Sequence, residues 1–430
     1  MKPDEVKALL DRSYAKDGTP GAVKNKISNY ATILLNDDRF LSLVFDSFKQ
    51  RPVKVEKDGT YAEWTDNDDA TAQMYIEDIY GIQNDSKYGD AFRVMTMDEN
   101  RCFNFLQDRL KSIPWDGKPH CEKFLSKWLL CDDTAYTAEV SRLIFAGGIN
   151  RAFIPGCKFD AVPVLQGSQG CGKSQIVRWL GFEEYSAATD TIDGKDGLMV
   201  IDGKLIVELE ELTATIAATP SAAFRKELSI KGFITRQEDR YRRPFDVRPC
   251  DHPRTCIFIG TTNETQFLSD KTGSRRWFPV ICKRQENDPF VGSHAEEIQA
   301  DIAQCWAEMY HAFINHKPIA SPYPRHDLLD EIKAAQSKAE MEDPWVGLIT
   351  AWLEGETDTI ERLECCSLQI AVEALGFEKT KVTQGNISKI NKILRHTLKW
   401  QPMSNSKYFP LYGSRRGFYN PQKMSDPTLK

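Results

Sequence analysis

The 430-residue sequence lacks the features that mark several specialised classes of protein. No apolar run is long enough to cross a bilayer, and the charged start, MKPDEVKALLDRSYAKDG, has no signal-peptide core. Internal repeats and low-complexity segments are missing as well. We therefore expect a soluble, cytoplasmic globular protein with no membrane partner.

Cysteine is present, but its spacing is not that of a metal site or a disulfide framework. The eleven cysteines include no C-x-x-C pair and no Cys/His spacing suited to zinc. Cys365 and Cys366 are adjacent, which is a poor arrangement for a structural disulfide. This distribution predicts reduced thiols that act as small buried hydrophobic side chains in a cytosol.

An overall excess of positive charge is also absent. The net charge of -6 and the pI near 5.8 argue against a chain that binds nucleic acid over its whole surface. The balance reverses locally, because residues 231–276 contain ten Lys or Arg and six Asp or Glu. A basic patch in this segment could still bind nucleic acid.

The composition is typical of a globular chain, with 41% hydrophobic and 27% charged residues, and the length allows two or three domains. We expect an α/β fold in which the segments follow in order along the chain. They are a polar N-terminal arm over 1–30, a mixed α/β and helical domain over 31–135, a central domain over 136–320 and a C-terminal domain over 340–430.

Short patterns predict individual elements of these domains. ATILL, residues 31–35, is typical of a strand, and VKVEKDGTYAEW predicts a hairpin that turns at Asp58-Gly59. The central domain has four apolar strand candidates, AVPVLQG, KLIVELE, TCIFIGTT and RRWFPVI. Apolar runs of this length, separated by loops, favour an α/β core.

The C-terminal domain combines a helix with a basic ribbon, a pattern typical of a winged-helix-like fold. In NISKINKILRHTL, one helical face carries Ile387, Ile390, Leu394 and Leu398. The ribbon that follows has side chains suited to phosphate contacts from a wing: Lys407, Tyr408, Arg415, Arg416 and Tyr419. The alternative is a stabilising subdomain with solvated charges.

The stretch AVPVLQGSQGCGKSQIVRWLG carries the strongest functional signal. It fits the pattern G-x-x-x-x-G-K-[ST], follows a strand candidate and opens a helix. In such a loop the backbone N–H groups wrap phosphates, a lysine (here Lys173) reaches the β- and γ-phosphates, and a hydroxyl (Ser174) binds Mg²⁺. We therefore expect ATP and Mg²⁺ as cofactors, with nucleotide contacts from Gly167, Ser168, Gln169, Gly170, Cys171, Gly172, Lys173, Ser174 and Gln175.

Two further strand candidates end in polar side chains. GKLIVELEEL ends in carboxylates, of which Glu208 is the candidate on the Mg²⁺ side, while Glu210 and Glu211 compete for the water-activating role. Glu211 is the favoured base. TCIFIGTTNET ends at Asn263, which could sense the γ-phosphate or could be a helix cap or turn residue.

These motifs together resemble the virulence-associated protein E family. The resemblance is carried by LQGSQGCGKS, GKLIVELEEL, IKGFITRQEDRYRRPF and HPRTCIFIGTTNETQFLSDKTGSRRWFPV, with PWDGKP and IPGCKFD upstream. It covers about residues 105 to 320 and extends to phage- and prophage-type P-loop ATPases, superfamily 3 helicases and phage primase-helicases.

The resemblance implies an AAA+-like P-loop core, ATP-driven work on DNA and assembly into a homo-oligomeric ring, expected to be a hexamer. The cell compartment would be the cytosol of a bacterium or of an infected cell. Larger relatives carry a primase domain ahead of this core, for which the roughly 100 residues here are short, so a separate primase is the expected partner.

The resemblance also assigns roles to two groups of basic residues. It places Arg275 and Arg276 at the γ-phosphate of ATP, where one could act as an arginine finger on a neighbouring subunit and the other could hold the loop or sense its own phosphate. It implies a DNA-gripping hairpin formed by Arg240, Tyr241, Arg242 and Arg243, and Lys231 just upstream could join either this hairpin or a subunit contact. The alternative for the hairpin arginines is a surface loop in which they pair with Glu238, Asp239 and Asp246.

Three functional hypotheses are compatible with the phosphate-loop pattern. The leading hypothesis is an ATP-hydrolysing, DNA-binding motor, a replicative helicase acting on single-stranded or forked DNA. A second is an ATP-dependent switch or loader that assembles a replication partner without unwinding DNA. A small-molecule kinase is third, and the sequence offers no acceptor site beside the phosphate loop.

Overall fold

The structure is a computed structural model that describes residues 1–188, 195–210, 230–243, 248–268, 274–340, 344–356 and 358–428. The chain forms two compact units, Met1–Glu340 and Met341–Lys430. No helix of the described residues is both long enough and apolar enough to cross a bilayer.

The N-terminal part of the first unit is built around a small mixed sheet. Its elements are α1 (Pro3–Leu9), β1 (Arg12–Tyr14), β2 (Pro20–Val23), α2 (Ile27–Asn36), β3 (Leu43–Asp46), β4 (Arg51–Val55), β5 (Tyr61–Glu63), α3 (Asp66–Tyr80), α4 (Asp85–Met95) and β6 (Cys102–Phe103). Strands β1 and β2 form a separate hairpin, and the other four form a sheet of order β5-β4-β3-β6.

The first 30 residues, for which the sequence predicts a loose arm or an exposed helix, contain the mostly exposed helix α1 and pack against this part through a few side chains. Val6 and Leu10, one helical turn apart, are buried in the same hydrophobic cluster as Tyr30 and Ile33 of α2. A few apolar residues at helical spacing are therefore enough to dock a segment that is otherwise polar.

The ATILL segment is helical, so the predicted strand is wrong. It lies inside α2, whose buried side chains include Tyr30, Ile33 and Leu34 at helical spacing. A short apolar run can belong to a strand or to a buried helix, and only the longer pattern separates them. The predicted hairpin at Asp58-Gly59 is confirmed, because β4 and β5 pair antiparallel on either side of that turn.

The central part of the first unit contains a five-stranded parallel sheet. Its elements are α5 (Phe105–Ser112), α6 (Phe124–Leu129), α7 (Ala135–Phe153), β7 (Val162–Gln166), α8 (Lys173–Leu180), β8 (Tyr185–Ala188), α9 (Lys195–Ile201), β9 (Ile206–Leu209), β10 (Glu238–Tyr241), β11 (Cys250–Pro253), β12 (Ile257–Thr262), β13 (Trp277–Ile281), α10 (Phe290–Ser293), α11 (Ala295–Ile314) and α12 (Leu329–Ala339). The sheet order is β13-β7-β12-β9-β8, and all four pairings are parallel.

Both faces of this sheet are covered by hydrophobic clusters. On β9, Ile206 enters the cluster that includes Ile176 of α8, while Val207 enters the cluster on the other face. A parallel sheet that is buried on both faces has near-continuous apolar strands. This confirms the four predicted strands, which are β7, β9, β12 and β13.

The second unit has its own core. Its elements are α13 (Pro344–Leu353), β14 (Glu364–Cys365), α14 (Ser367–Gln369), α15 (Gln384–Lys392), β15 (Gln401–Pro402), β16 (Lys407–Phe409), β17 (Gly413–Arg415) and β18 (Phe418–Tyr419). A π-helical turn continues α14 through Ile370–Ala374, and another continues α15 through Ile393–Thr397. The sheets are β14-β18-β15 and the hairpin β16-β17.

A nearly buried carboxylate joins the segment before α6 to α11. Asp301 is 8% exposed and accepts hydrogen bonds from Lys127 Nζ at 2.9 Å and from Trp128 Nε1 at 2.6 Å. His120 Nδ1 lies 2.6 Å from Asp301 Oδ1, and His120 Nε2 lies 3.1 Å from Asp116 Oδ1. Burial lowers the pKa of His120, but the hydrogen bonds to the two carboxylates outweigh it and raise that pKa above its ordinary value.

We expect the contribution of His120 to stability to depend on pH. Because its folded-state pKa is raised, the stabilisation is fully present below the unfolded pKa of about 6.5 and is lost as pH rises through the folded pKa. His120→Gln should therefore lower the melting temperature most near pH 6, with a smaller deficit at alkaline pH. Thermal unfolding over this range measures it, with the exposed His326→Gln as the control. A deficit that does not change with pH would contradict the assignment.

Candidate functional site

The carboxyl edge of the parallel sheet brings the phosphate-loop pattern and the polar strand ends together. Strand β12 lies between β7 and β9, with Thr262 opposite Gln166 on one side and Ile259 opposite Glu208 on the other. In the sheet, β7 has β12 on one side and β13 on the other. The strands that follow β7 in the chain lie on the first side up to β12, and the last strand, β13, lies on the second side, so the direction of strand addition reverses at β7. Crevices at such reversal points are where open α/β sheets bind ligands.

The loop 167–172 joins the buried strand β7 to the N-terminus of α8. Gly170 and Gly172 have φ angles of 70° and 93°, a region that side chains other than glycine rarely adopt. A Cβ atom at Gly172 would lie 2.3 Å from a methyl carbon of Val291. The backbone N–H of Asn287 donates to Gln169 O at 3.1 Å. The segment around 287–291 therefore fixes the loop from outside.

Lys173 places a buried cation at the centre of this loop. The residue is 6% exposed, and its Nζ donates to Gly167 O at 2.8 Å, to Ser168 O at 2.7 Å and to Asn263 Oδ1 at 3.1 Å. Within the described ranges the ammonium has no carboxylate partner. A buried charge without a counterion is costly, so the arrangement is suited to an anion that arrives from outside the chain.

Glu208 is fully buried, and both of its carboxylate oxygens accept hydrogen bonds. Tyr185 OH donates to Oε2 at 2.6 Å, and Thr261 Oγ1 donates to Oε1 at 2.7 Å. The side chain points to the face of the sheet that carries α8, because it alternates with Val207 and Leu209 along β9. Burial, followed by the bond to Glu208, raises the pKa of Tyr185, so the phenol remains a donor.

The other residues for which the sequence predicts a nucleotide role lie around these two groups or outside the described residues. Asn263 follows the end of β12 and is exposed apart from its contact with Lys173. Ser174 and Gln175 are exposed in the first turn of α8. Glu210 is partly buried just beyond β9, and Glu211 lies outside the described residues.

The twin arginines lie at the amino ends of the strands, whereas the phosphate loop lies at their carboxyl ends. Trp277, the first residue of β13, is opposite Val162, the first residue of β7. Arg275 and Arg276 therefore precede the amino end of the sheet, about 16 Å along five strand residues from the phosphate loop. Arg275 is exposed, while Arg276 is 17% exposed and its Nε lies 3.8 Å from Asp160 Oδ2.

This placement separates the arginines from the phosphate loop of the same chain. Neither guanidinium is brought near Lys173 or Asn263, so the expectation that one of them senses its own subunit's phosphate is not supported by the geometry. The close succession of Asn263 and Arg275 in sequence is misleading, because the chain returns to the start of the sheet between β12 and β13.

The basic segment forms an antiparallel hairpin, β10–β11, with Tyr241 opposite Cys250. Tyr241 is only 8% exposed, and its ring centroid lies 4.2 Å from that of His252. Lys231 is also buried, with 5% exposure. These two residues are therefore not available on the surface, and the expectation that both would contact DNA directly must be corrected.

The hairpin arginines differ from one another in their partners. Arg240 is exposed and pairs with Asp251 at 2.9 Å across the hairpin, and Arg242 is exposed. Arg243 donates from Nε and Nη2 to the two carboxylate oxygens of Asp202 at 2.6 and 2.7 Å. Arg240 and Arg243 thus each pair with an acid outside the segment 238–246.

The base of the hairpin is held by a second, buried pair. Arg254 donates from Nε to Asp239 Oδ2 at 2.5 Å and from Nη2 to Asp239 Oδ1 at 3.0 Å. Asp202 lies just before β9 and Arg254 just before β12. The hairpin is therefore anchored at the amino ends of the two strands that carry Glu208 and lead to Asn263.

Three residues that hold the site were missed by sequence reasoning. Tyr185 and Asn287 have no local pattern around them, and their contacts join segments far apart in the chain. Thr261 stands in the strand-tip sequence GTTN, where a hydroxyl two residues before Asn263 could have been identified as a neighbour of the adjacent strand.

The residues present fit a phosphate group and a weakly held metal ion. The unpaired ammonium of Lys173 and the glycine loop fit an anion. The described residues contain no cluster of three or more His, Cys, Asp or Glu that could hold a metal by itself. Mg²⁺ bound through one or two protein oxygens together with substrate phosphates needs no such cluster.

Solved structures with a similar fold include three of the C-terminal region of NrS-1. An apo structure of residues 305–718 is 16% identical, with a TM-score of 0.52, and covers 92% of this chain and 99% of that one. Two A-form apo structures are 15% and 14% identical, with TM-scores of 0.50 and 0.51, and each covers 92% of this chain. At this identity the likeness is one of fold alone.

The comparison with curated protein sequences gave no significant match. A family model, the virulence-associated protein E-like domain, matches residues 110–341, which is more than half of the chain and includes every residue of the carboxyl-edge site. The chain therefore belongs to the virulence-associated protein E-like family.

Proposed function

We propose that this protein is an ATP-hydrolysing, DNA-binding motor that acts as a replicative helicase of a phage or prophage-type element. The observation that carries the proposal is the buried ammonium of Lys173, which joins the phosphate-loop carbonyls to Asn263 without a carboxylate partner in the described chain. The resemblance of the motifs to phage- and prophage-type motors supports the biological setting. A separate primase would supply primers.

In this proposal the loop 167–172 and Lys173 bind the β- and γ-phosphates of ATP. The N-terminus of α8 adds its partial positive charge. Ser174 and Glu208 would hold Mg²⁺, which when bound neutralises charge on the phosphates. Tyr185 and Thr261 orient the Glu208 carboxylate for this task, because their hydroxyls fix both of its oxygens.

Hydrolysis requires a positioned water molecule and a sensor of the γ-phosphate. The contact of the Asn263 side chain with the Lys173 ammonium supports the second role for Asn263. Glu211 remains our candidate for water activation, with Glu210 as the alternative. Either carboxylate would accept a proton from the attacking water as general base.

The position of the twin arginines is an argument that several copies of the chain assemble. The exposure of Arg275 at the amino ends of the strands, away from its own phosphate loop, supports a role at a nucleotide held by a neighbouring subunit. We propose Arg275 as the trans arginine and Arg276, which faces Asp160, as the residue that holds the loop. A closed ring, proposed to be a hexamer, gives every subunit such a neighbour.

The hairpin β10–β11 is proposed to contact the DNA backbone. Arg242 is exposed there, and Arg240 can exchange its surface pair with Asp251 for a phosphate. Tyr241 and Arg243 instead support the hairpin from within. The bidentate pair of Arg243 with Asp202 fixes the end of β10.

Replacing Lys173 with alanine should abolish the motor. We expect ATP hydrolysis to fall by about 10²-fold or more, because the charge that stabilises the transferring phosphate is removed. Strand displacement on a forked duplex should disappear with it. Lys283→Ala, which removes an exposed lysine paired with Asp132, is the matched control. Hydrolysis by the parent protein without any strand displacement would favour the loader over the helicase.

Two substitutions in the hairpin should have different consequences. Arg242→Ala should weaken DNA binding and reduce its salt dependence by about one phosphate contact, with ATP binding unchanged. Tyr241→Ala should mainly lower the melting temperature, because it empties a buried contact with His252. Anisotropy titrations at several salt concentrations, with thermal unfolding, separate the two. Equal DNA affinity of the parent and Arg242→Ala would rule out this contact.

Mixing variants tests the trans arginine. Subunits with Arg275→Ala have an intact phosphate loop, and subunits with Lys173→Ala have an intact arginine. Mixed assemblies should therefore recover part of the ATPase activity that each variant lacks alone. Rates measured over a series of mixing ratios give the result. An absence of recovery, in mixtures shown by native mass spectrometry to exchange subunits, would exclude the trans role.

A further inference from the structure

The second unit has an uneven distribution of charge along its sequence. Residues 341–378 contain nine Asp or Glu and a single Arg, whereas residues 379–425 contain ten Lys or Arg and no Asp or Glu. The ten are Lys379, Lys381, Lys389, Lys392, Arg395, Lys399, Lys407, Arg415, Arg416 and Lys423. Positive charge concentrated in one folded segment of an acidic chain is the electrostatic signature of a polyanion-binding surface.

Several of these cations are exposed and unneutralised. Lys392, Arg395 and Lys399 are exposed, and no carboxylate in the described chain pairs with them. Arg415 and Arg416 are exposed as well, and they donate only to backbone oxygens, those of Tyr412 and Met403. We define these five as the basic surface of the unit.

Part of the basic surface extends a polar helix face. The helix that starts as α15 and continues to Thr397 exposes Gln384, Ser388, Lys392 and Arg395, each three or four residues after the last. Its other side is buried through Ile390, Ile393 and Leu394. Amide and hydroxyl groups therefore come first along this face, and cations follow.

The hairpin β16–β17 lies beside the start of this helix. Phe409 and Tyr412 of the hairpin share a hydrophobic cluster with Val382 and Ile387, and Lys379 Nζ donates to Leu411 O at 2.6 Å. At the outer side of the hairpin, Tyr408 is 69% exposed and Leu411 is 80% exposed. The helix face and the hairpin thus form one continuous region.

We propose that this region binds double-stranded DNA, with the helix 384–397 in the major groove and the hairpin against the neighbouring backbone. The major groove of B-DNA admits a helix, and Gln or Ser side chains near the helix start can reach base edges while Lys and Arg contact phosphates. The major groove of an RNA duplex is too narrow for a helix. Single strands are bound by several stacked aromatic side chains, of which the basic surface and its hairpin expose only Tyr408.

The experiment uses the full chain without nucleotide, so that it does not depend on the proposed motor. Anisotropy is measured on a labelled duplex of about three helical turns and on one of its single strands. The variant is Lys392→Gln with Arg395→Gln, and the control with the same loss of charge in the first unit is Lys283→Gln with Lys333→Gln. The same pair in an Arg242→Ala background separates this surface from the hairpin β10–β11.

Loss of two phosphate contacts should weaken duplex binding about tenfold at low salt and reduce the salt slope by about two. Single-strand binding should stay at the level of the control. Lys399→Gln alone should reproduce about half of the change in slope. Circular dichroism and thermal unfolding check that the variants are folded.

Three outcomes would overturn the proposal. Duplex affinity equal to that of the control would remove the surface from DNA binding. An equal loss on duplex and single strand would assign it to the strand that the motor handles. Unchanged duplex binding with a loss of binding to vesicles of anionic lipid would assign it to a membrane surface.

Discussion

The carboxyl-edge site depends on one buried cation. Lys173 has lost most of its contact with water, and it receives in return two loop carbonyls and the Asn263 amide oxygen, none of which is charged. Keeping an ammonium in this state requires a rigid surrounding, because a flexible loop would let it turn to solvent or to a carboxylate. The parallel sheet supplies that rigidity, since β7 is buried along its whole length and β12 fixes the position of Asn263. The loop 167–172, the helix α8 and the end of β12 together fix the position of the Lys173 ammonium.

The parallel direction of the strands decides which residues of one chain lie close together. Every strand of the central sheet runs the same way, so the phosphate loop, Glu208 and Asn263 collect near one edge, and Arg275, the hairpin β10–β11 and Asp202 collect near the other. Arg275 and Arg276 therefore lie at the opposite ends of the strands from the phosphate loop of the same chain.

Sequence reasoning could predict features whose cause is local. The glycine spacing, the lysine and the flanking apolar strand of the phosphate loop lie within one short stretch, and the pattern predicts the loop geometry at Gly170 and Gly172. The four strong strands of the central sheet are apolar enough to be recognised. Strand β8 is not, because Tyr185–Ala188 is short and only half-buried. The charge reversal in the second unit was likewise readable from the sequence.

Features that depend on distant partners could not be predicted. Tyr241 looks like a surface aromatic between arginines, and only the antiparallel pairing with β11 shows that it packs on His252. Arg243 finds Asp202 across 41 residues of sequence, so a search among neighbouring acids could not identify that pair. The positions of the twin arginines followed from the path of the chain between β12 and β13, which no local pattern encodes.

The two clamps at the base of the hairpin have a mechanical consequence. Arg243, just after β10, pairs with Asp202 before β9, and Arg254, just before β12, pairs with Asp239 within β10. The hairpin is thus fastened at the amino ends of the two strands that carry Glu208 and lead to Asn263. Because β9 and β12 are hydrogen-bonded neighbours in the sheet, the two clamps fix the position of the hairpin relative to both strands.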